Sequence, residues 1–159
     1  MKPFINIDKL EDFEQSEKGQ FQENFSGISD KIGAQKLGYS ITTVPPGKKA
    51  CPFHNHHINE EMFLILEGEG MLRFGEHEYA IKRHDIIACP AGGKDVAHQI
   101  VNTSQADIKY LCLSTNEPYE ICEYPDSNKI QSMVGEQGER ELIRIFKASD
   151  KVDYYDGEK

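Results

Sequence analysis

The stretch with the most chemical content is Gly47-Lys-Lys-Ala-Cys-Pro-Phe-His54-Asn-His56-His57-Ile-Asn-Glu60-Glu61-Met-Phe-Leu-Ile-Leu-Glu-Gly68. His54 and His56 stand two residues apart. On an extended chain such side chains share a face, so both imidazoles can converge on one ion while Asn55 points away. Glu61 follows after a short connection and shares parity with Phe63 and Ile65. Its carboxylate therefore opens a row that otherwise reads as core. A carboxylate placed there needs a partner, and a metal ion held by imidazoles is a good one. Downstream, His98 shares a strand face with Ile100 and Asn102 and would supply a third imidazole. The expectation is one divalent transition metal bound by His54, His56, Glu61 and His98.

Three neutral imidazoles and one carboxylate leave a divalent ion at a net charge of about +1. The mixed nitrogen and oxygen set suits Mn, Fe, Co, Ni, Cu or Zn without choosing among them. Such an ion polarises a carbonyl, lowers the pKa of bound water or, as iron, binds dioxygen. Other nearby residues have plainer readings. By parity His57 faces away from His54 and His56, and it is expected in solvent with Glu60. Glu60 is the alternative fourth ligand, but the six-residue spacing to Gly68 favours Glu61. His77 is expected exposed in a turn, His84 in a loop, and Cys51 as a packed thiol. Arg73 or Tyr110 could line a cavity, and parity settles neither. No arginine or lysine cluster accompanies these stretches; Lys94 is the nearest cation.

The elements that must position these residues read as many short strands. Candidates are Lys36 to Val44, Glu61 to Glu67, Met71 to Phe74, Glu78 to Lys82, Asp85 to Ala88, Val96 to Val101, Ile108 to Ser114 and Tyr119 to Tyr124. Turn signals separate them: Pro45-Pro46-Gly47, Gly68-Glu69-Gly70, Gly75-Glu76 and Pro125-Asp126-Ser127-Asn128. Glu141 to Phe146 reads as a strand or, from its good helix formers, a helix. Turn signals every eight to twelve residues or so point to an all-β sandwich or barrel. Residues 1–19 read as an N-terminal arm, 20–146 as the β-barrel and 147–159 as a C-terminal tail. Met62 to Leu66 is apolar on both faces, which favours a covering arm or, by preference, a homodimer.

Two spacings resemble the paired motifs of the cupin superfamily. The first motif runs glycine, H-x-H, three or four residues, glutamate, six residues, glycine. His54, His56, Glu61 and Gly68 fit it, with Gly47 one residue further upstream than usual. The second runs P-x-G, histidine, three residues, asparagine. Pro90, Gly92, His98 and Asn102 fit it, with five residues between Gly92 and His98 where the motif has two. The stretch at 114–127 is similar to that of a small group of single-domain cupins associated with sugar-phosphate isomerisation. The resemblance implies a double-stranded β-helix, the jelly-roll cupin barrel, and a metal at the four positions. It also implies a small-molecule substrate or ligand.

Bulk composition narrows the partners. The 159 residues fit one domain, and 38% hydrophobic content with 28% charged lies in the folded range. A net charge of -9 disfavours a phosphate backbone, so nucleic acid is not expected. No basic run suits an anionic membrane, and the N-terminal residues lack a signal-peptide pattern, so a cytoplasmic protein is expected. The four cysteines form no C-x-x-C pair and are expected as free thiols. Two functional classes remain. One is a metalloenzyme acting on a small oxygenated molecule, by isomerising a sugar or sugar phosphate or by oxidising or decarboxylating a small acid. The other is a non-catalytic module that binds a small molecule through its metal.

Overall fold

The computed structural model describes residues 2–136 and 138–159. Its strands, in chain order, are β1 (Glu14–Lys18), β2 (Phe21–Gly27), β3 (Leu37–Val44), β4 (Asn55–His56), β5 (Glu61–Glu67), β6 (Glu69–Phe74) and β7 (His77–Lys82). They continue with β8 (Ile86–Cys89), β9 (His98–Val101), β10 (Ile108–Thr115), β11 (Tyr119–Tyr124), β12 (Lys129–Val134) and β13 (Leu142–Lys147). Three sheets result, with strand orders β1-β2-β3-β10-β5-β8, β13-β12-β11-β4 and β7-β6-β9. Every pairing between named strands is antiparallel, and the architecture is all-β, as expected. Among the described residues no helix is long and apolar enough to cross a membrane.

Alternation along β3, β5 and β10 builds the interior. Cross-strand partners share a face. The register therefore lines up Thr42 with Tyr110 and then Ile65, and Ser40 with Cys112 and then Phe63. The next inward row is Gly38, Ser114, Glu61 and Cys89. The core packs Val44, Phe63, Ile65, Ile87, Ile108 and Tyr110 of the large sheet against Leu72, Ile81 and Ile100 of the three-stranded one. Glu61 thus begins an otherwise apolar row, as its parity predicted.

Several elements differ from the sequence reading. Glu14–Lys18, within the expected arm, is the edge strand of the large sheet and pairs with β2 along its whole length. β12 was not anticipated. The segment open to both a helical and an extended reading is extended, because β13 pairs with β12 from Leu142 to Lys147. Gly68 closes β5 with φ +79, and a Cβ there would collide with the Asp107 carbonyl oxygen. Only glycine tolerates both conditions, which is the physical content of its fixed distance from Glu61.

Candidate metal centre

Glu61 is the hub of the site. Its Oε2 lies 2.9 Å from His98 Nε2, 3.3 Å from His56 Nε2 and 3.7 Å from His54 Nε2. All four residues expected as ligands are therefore brought together on one carboxylate oxygen. Each arrives by a separate device. His56 lies in β4, which pairs with β11 through Cys122. Glu61 opens β5. His54 and His98 form an antiparallel bridge, with His98 N donating to His54 O at 2.7 Å and His54 N to His98 O at 3.2 Å. The longer loop before His98 winds into a single turn of 3-10 helix at Lys94–Val96, so the extra residues leave His98 in place.

The donor set tests whether a cation fits. His54 Nδ1 is 2.9 Å from Pro52 O, and His98 Nδ1 is 3.2 Å from Val96 O. An imidazole donating through Nδ1 presents its Nε2 lone pair. Both Nε2 atoms face an anionic oxygen. Lone pair against carboxylate is repulsive until a positive charge, a proton or a metal ion, sits between them. Three imidazole nitrogens and one carboxylate oxygen match a divalent transition metal. Ligand atoms of His54, Glu61 and His98 lie within 4.8 Å of one another, a spacing that fits one ion; His56 Nε2 reaches the set through Glu61 Oε2 at 3.3 Å and groups equally with Glu120 and Cys122.

Electrostatics agree with that reading. Burial would raise the Glu61 carboxyl, but hydrogen bonds from His54, His56 and His98 hold it well below the usual carboxylate range. Burial would lower His54, yet its contacts with Cys51 and Glu61 push it up to about 10. His56 is likewise pushed up, to about 12, by Cys122, Glu120 and Glu61 against the effect of burial. Without an ion, protons do the balancing.

Two kinds of partner were not anticipated. Glu120 is 1% exposed and stands behind His56, with Oε2 3.3 Å from Nδ1. Its Oε1 accepts from Ile58 N at 3.2 Å and Ile121 N at 2.7 Å, and its Oε2 from Asn59 N at 2.8 Å. Against burial, His56 and these amides bring its pKa down to about 2. A carboxylate behind a ligating histidine fixes its tautomer and ring orientation. Thiols also back the set. Cys122 Sγ lies 3.3 Å from His56 Nδ1, Cys51 Sγ 3.8 Å from His54 Nδ1, and Cys112 Sγ 3.7 Å from Glu61 Oε1. All four cysteines are free. Glu120 and Cys122 share parity on one strand, but nothing local links them to His56, more than sixty residues away.

The remaining candidates fall outside the site. Glu60 is exposed, and its amide donates to Thr115 Oγ1. His57 turns to Glu123 at 3.4 Å, away from the ligands. His77 is exposed at the start of β7, and His84 takes a turn conformation with φ 75. Arg73 pairs with Asp126 at 2.8 Å and covers Phe53. Lys94 is exposed. Asn55 is fully buried, and its Nδ2 donates to Gly92 O, tying the two motif stretches together. Asn102 pins the next turn by donating to Val44 O and Ala106 O. Of the two residues that parity left undecided, Tyr110 lines the cavity beside the site, whereas Arg73 is not among the residues lining it.

That cavity, about 750 Å³, opens beside His54 and Glu61 on the concave face of the large sheet. Its size suits a small molecule. Phe63, Tyr110 and Cys112 form its inner wall.

Comparison with known proteins gives consistent results. A family model described as a cupin domain matches residues 40–114, which contain all four positions. An uncharacterized protein of Methanocaldococcus jannaschii is 33% identical over 93 residues, 56% of this chain and 70% of that protein. A crystal structure from Acidithiobacillus ferrooxidans, described as a candidate sugar phosphate isomerase, has a TM-score of 0.82 at 20% identity and covers 96% of each chain. A second, from Silicibacter pomeroyi, is described as a sugar phosphate isomerase from a cupin superfamily. It has a TM-score of 0.78 at 23% identity, covering 97% of this chain and 98% of that one. At these identities the two structures share the fold with this chain.

Proposed function

Since the chain belongs to the cupin superfamily, we propose that it is a metal-dependent cupin acting on a small oxygenated polar molecule: a sugar, a sugar phosphate or a small acid. The observation that carries this reading is the convergence of His54, His56 and His98 on Glu61 Oε2 at the wall of a molecule-sized cavity. One divalent transition metal would be held by these four residues. When bound, such an ion polarises substrate oxygens or activates water.

The chain's own residues supply the rest. Glu120 orients His56, and the Pro52 and Val96 carbonyls orient His54 and His98. Phe63 and Tyr110 pack edge to face at 5.6 Å and exclude water from one side. Isomerisation needs a group that takes up a proton and returns it. Glu23 is the candidate. It lines the cavity half-buried, and burial raises its carboxyl against the pull of Ser16. That the A. ferrooxidans and S. pomeroyi proteins are described as sugar phosphate isomerases supports testing isomerisation first.

Metal analysis of the purified chain by mass spectrometry is the first test, followed by turnover assays on sugars, sugar phosphates and small dicarboxylates. The expected result is about one transition metal per chain and turnover that vanishes on chelation and returns with one metal. His98→Ala should lose the metal; a variant that binds it as tightly as the parent removes the four-ligand reading. Thermal stabilisation by a ligand without turnover would favour the second reading, a non-catalytic binding protein.

A homodimer is also proposed. Met62, Leu64, Leu111 and Leu113 lie half-buried on the outer face of the large sheet beside Ile86, which is 70% exposed. A second copy would cover this apolar surface. Light scattering that returns the mass of one chain at micromolar concentration would remove the dimer.

A further inference from the structure

We infer that the cavity selects a small uncharged polyhydroxy compound, an unphosphorylated sugar or polyol, over its phosphorylated counterpart. The inference rests on the reading of this cavity as the substrate site. Two independent features of the wall carry it.

The first is a set of inward hydroxyls. Thr42 and Tyr110 face each other across β3 and β10, with Ser40 and Ser114 on the neighbouring inward rows, and all four line the cavity. Thr42 and Tyr110 are each only 4% exposed. Tyr110 sits where the β10 to β5 register shifts. A hydroxyl on a cavity wall can both donate to and accept from a ligand that enters it. A polyhydroxy compound offers donors and acceptors at the spacing of successive carbons.

The second is charge. Besides Glu61, the wall carries Asp12, Glu14, Glu23 and Asp30. Lys31 is the one lysine or arginine lining it among the described residues. Its Nζ lies 2.7 Å from Asp12 Oδ2 and 3.0 Å from Ser26 Oγ, so its charge is already engaged. No arginine is present to grip a phosphate with paired N–H groups. With Glu61 offset, the proposed metal ion would leave about one positive charge against Glu14, Glu23 and Asp30, so a phosphate dianion would meet a wall that is net negative. Like charges brought together cost affinity and exclude the wrong partner. The histidines do not remedy this, because all three face Glu61.

Calorimetric titration of the metal-loaded full chain tests the inference, with mannose and fructose compared against mannose 6-phosphate and fructose 6-phosphate. At least one neutral sugar should bind about tenfold or more tightly than its 6-phosphate. Tyr110→Phe should weaken the neutral sugar while metal content stays constant. Glu23→Lys, or Glu14→Lys at the exposed edge strand, should narrow the gap by improving the 6-phosphate. A 6-phosphate that binds more tightly than its parent sugar overturns the inference, and so does failure of both forms to bind. Metal content measured on the same samples reports separately on the proposed function. If the metal is absent, that reading fails, and the sugar comparison on the metal-free chain still decides the selectivity.

Discussion

Glu61→Gln is expected to leave a folded chain that no longer retains a transition metal through dialysis. Glutamine keeps the size of the side chain and removes its charge. Glu61 Oε2 is the atom on which three imidazoles converge, at 2.9, 3.3 and 3.7 Å. It is the anionic member of the expected ligand set, and an amide oxygen is a weaker donor toward a divalent ion. Changing groups behind a ligand costs metal affinity about 10–100-fold, so loss of a ligand's own charge should exceed a hundredfold. Equilibrium dialysis with mass-spectrometric metal analysis checks this, with circular dichroism to confirm the fold. A variant that keeps one metal per chain at parental affinity would show that Glu61 is not a ligand.

Glu120→Ala should act on both stability and metal. The carboxylate is enclosed and anchors three backbone amides, those of Ile58, Asn59 and Ile121. Removing it strands these donors and leaves His56 Nδ1 without its carboxylate. Breaking a buried charged pair from one side costs about 3–5 kcal/mol. In a chain of this length that lowers Tm by roughly 10 °C. Metal affinity should fall by about 10–100-fold as His56 loses its orientation. Thermal unfolding of the metal-free protein isolates the first effect and metal titration the second. An unchanged Tm would mean that other groups satisfy these amides.

The residues themselves explain how much of this was readable in advance. His54, His56 and Glu61 were legible because strand parity is local: a period of two places the histidines on one face and aligns Glu61 with Phe63 and Ile65. Gly68 was legible as a spacing, and the structure supplies its cause in a positive φ against the Asp107 carbonyl. His98 depended on a loop whose length the residues state but whose path they do not; a turn of 3-10 helix absorbs the extra residues. The edge strand β1 carries only Glu-Gln-Ser-Glu-Lys, every residue exposed, with no alternation to detect. It is extended because β2 offers it a partner, and strand formation of this kind is a tertiary effect. β13 follows the same logic: its good helix formers yield to pairing with β12. Glu120 reaches the site only through the β11 to β4 pairing, so no local pattern could mark it.

The reciprocal backbone bridge between His54 and His98 has a kinetic consequence. Two main-chain hydrogen bonds close that pair and the Pro52 and Val96 carbonyls hold the rings, so the spacing there is set by the fold. Filling such a pocket does not wait for the chain to search conformations. The slow event becomes the shedding of water by the incoming ion. If the site holds the proposed ion, uptake rates should follow the ion's own water-exchange rate, so that the first metal bound would be decided as much by aqueous chemistry as by the fold.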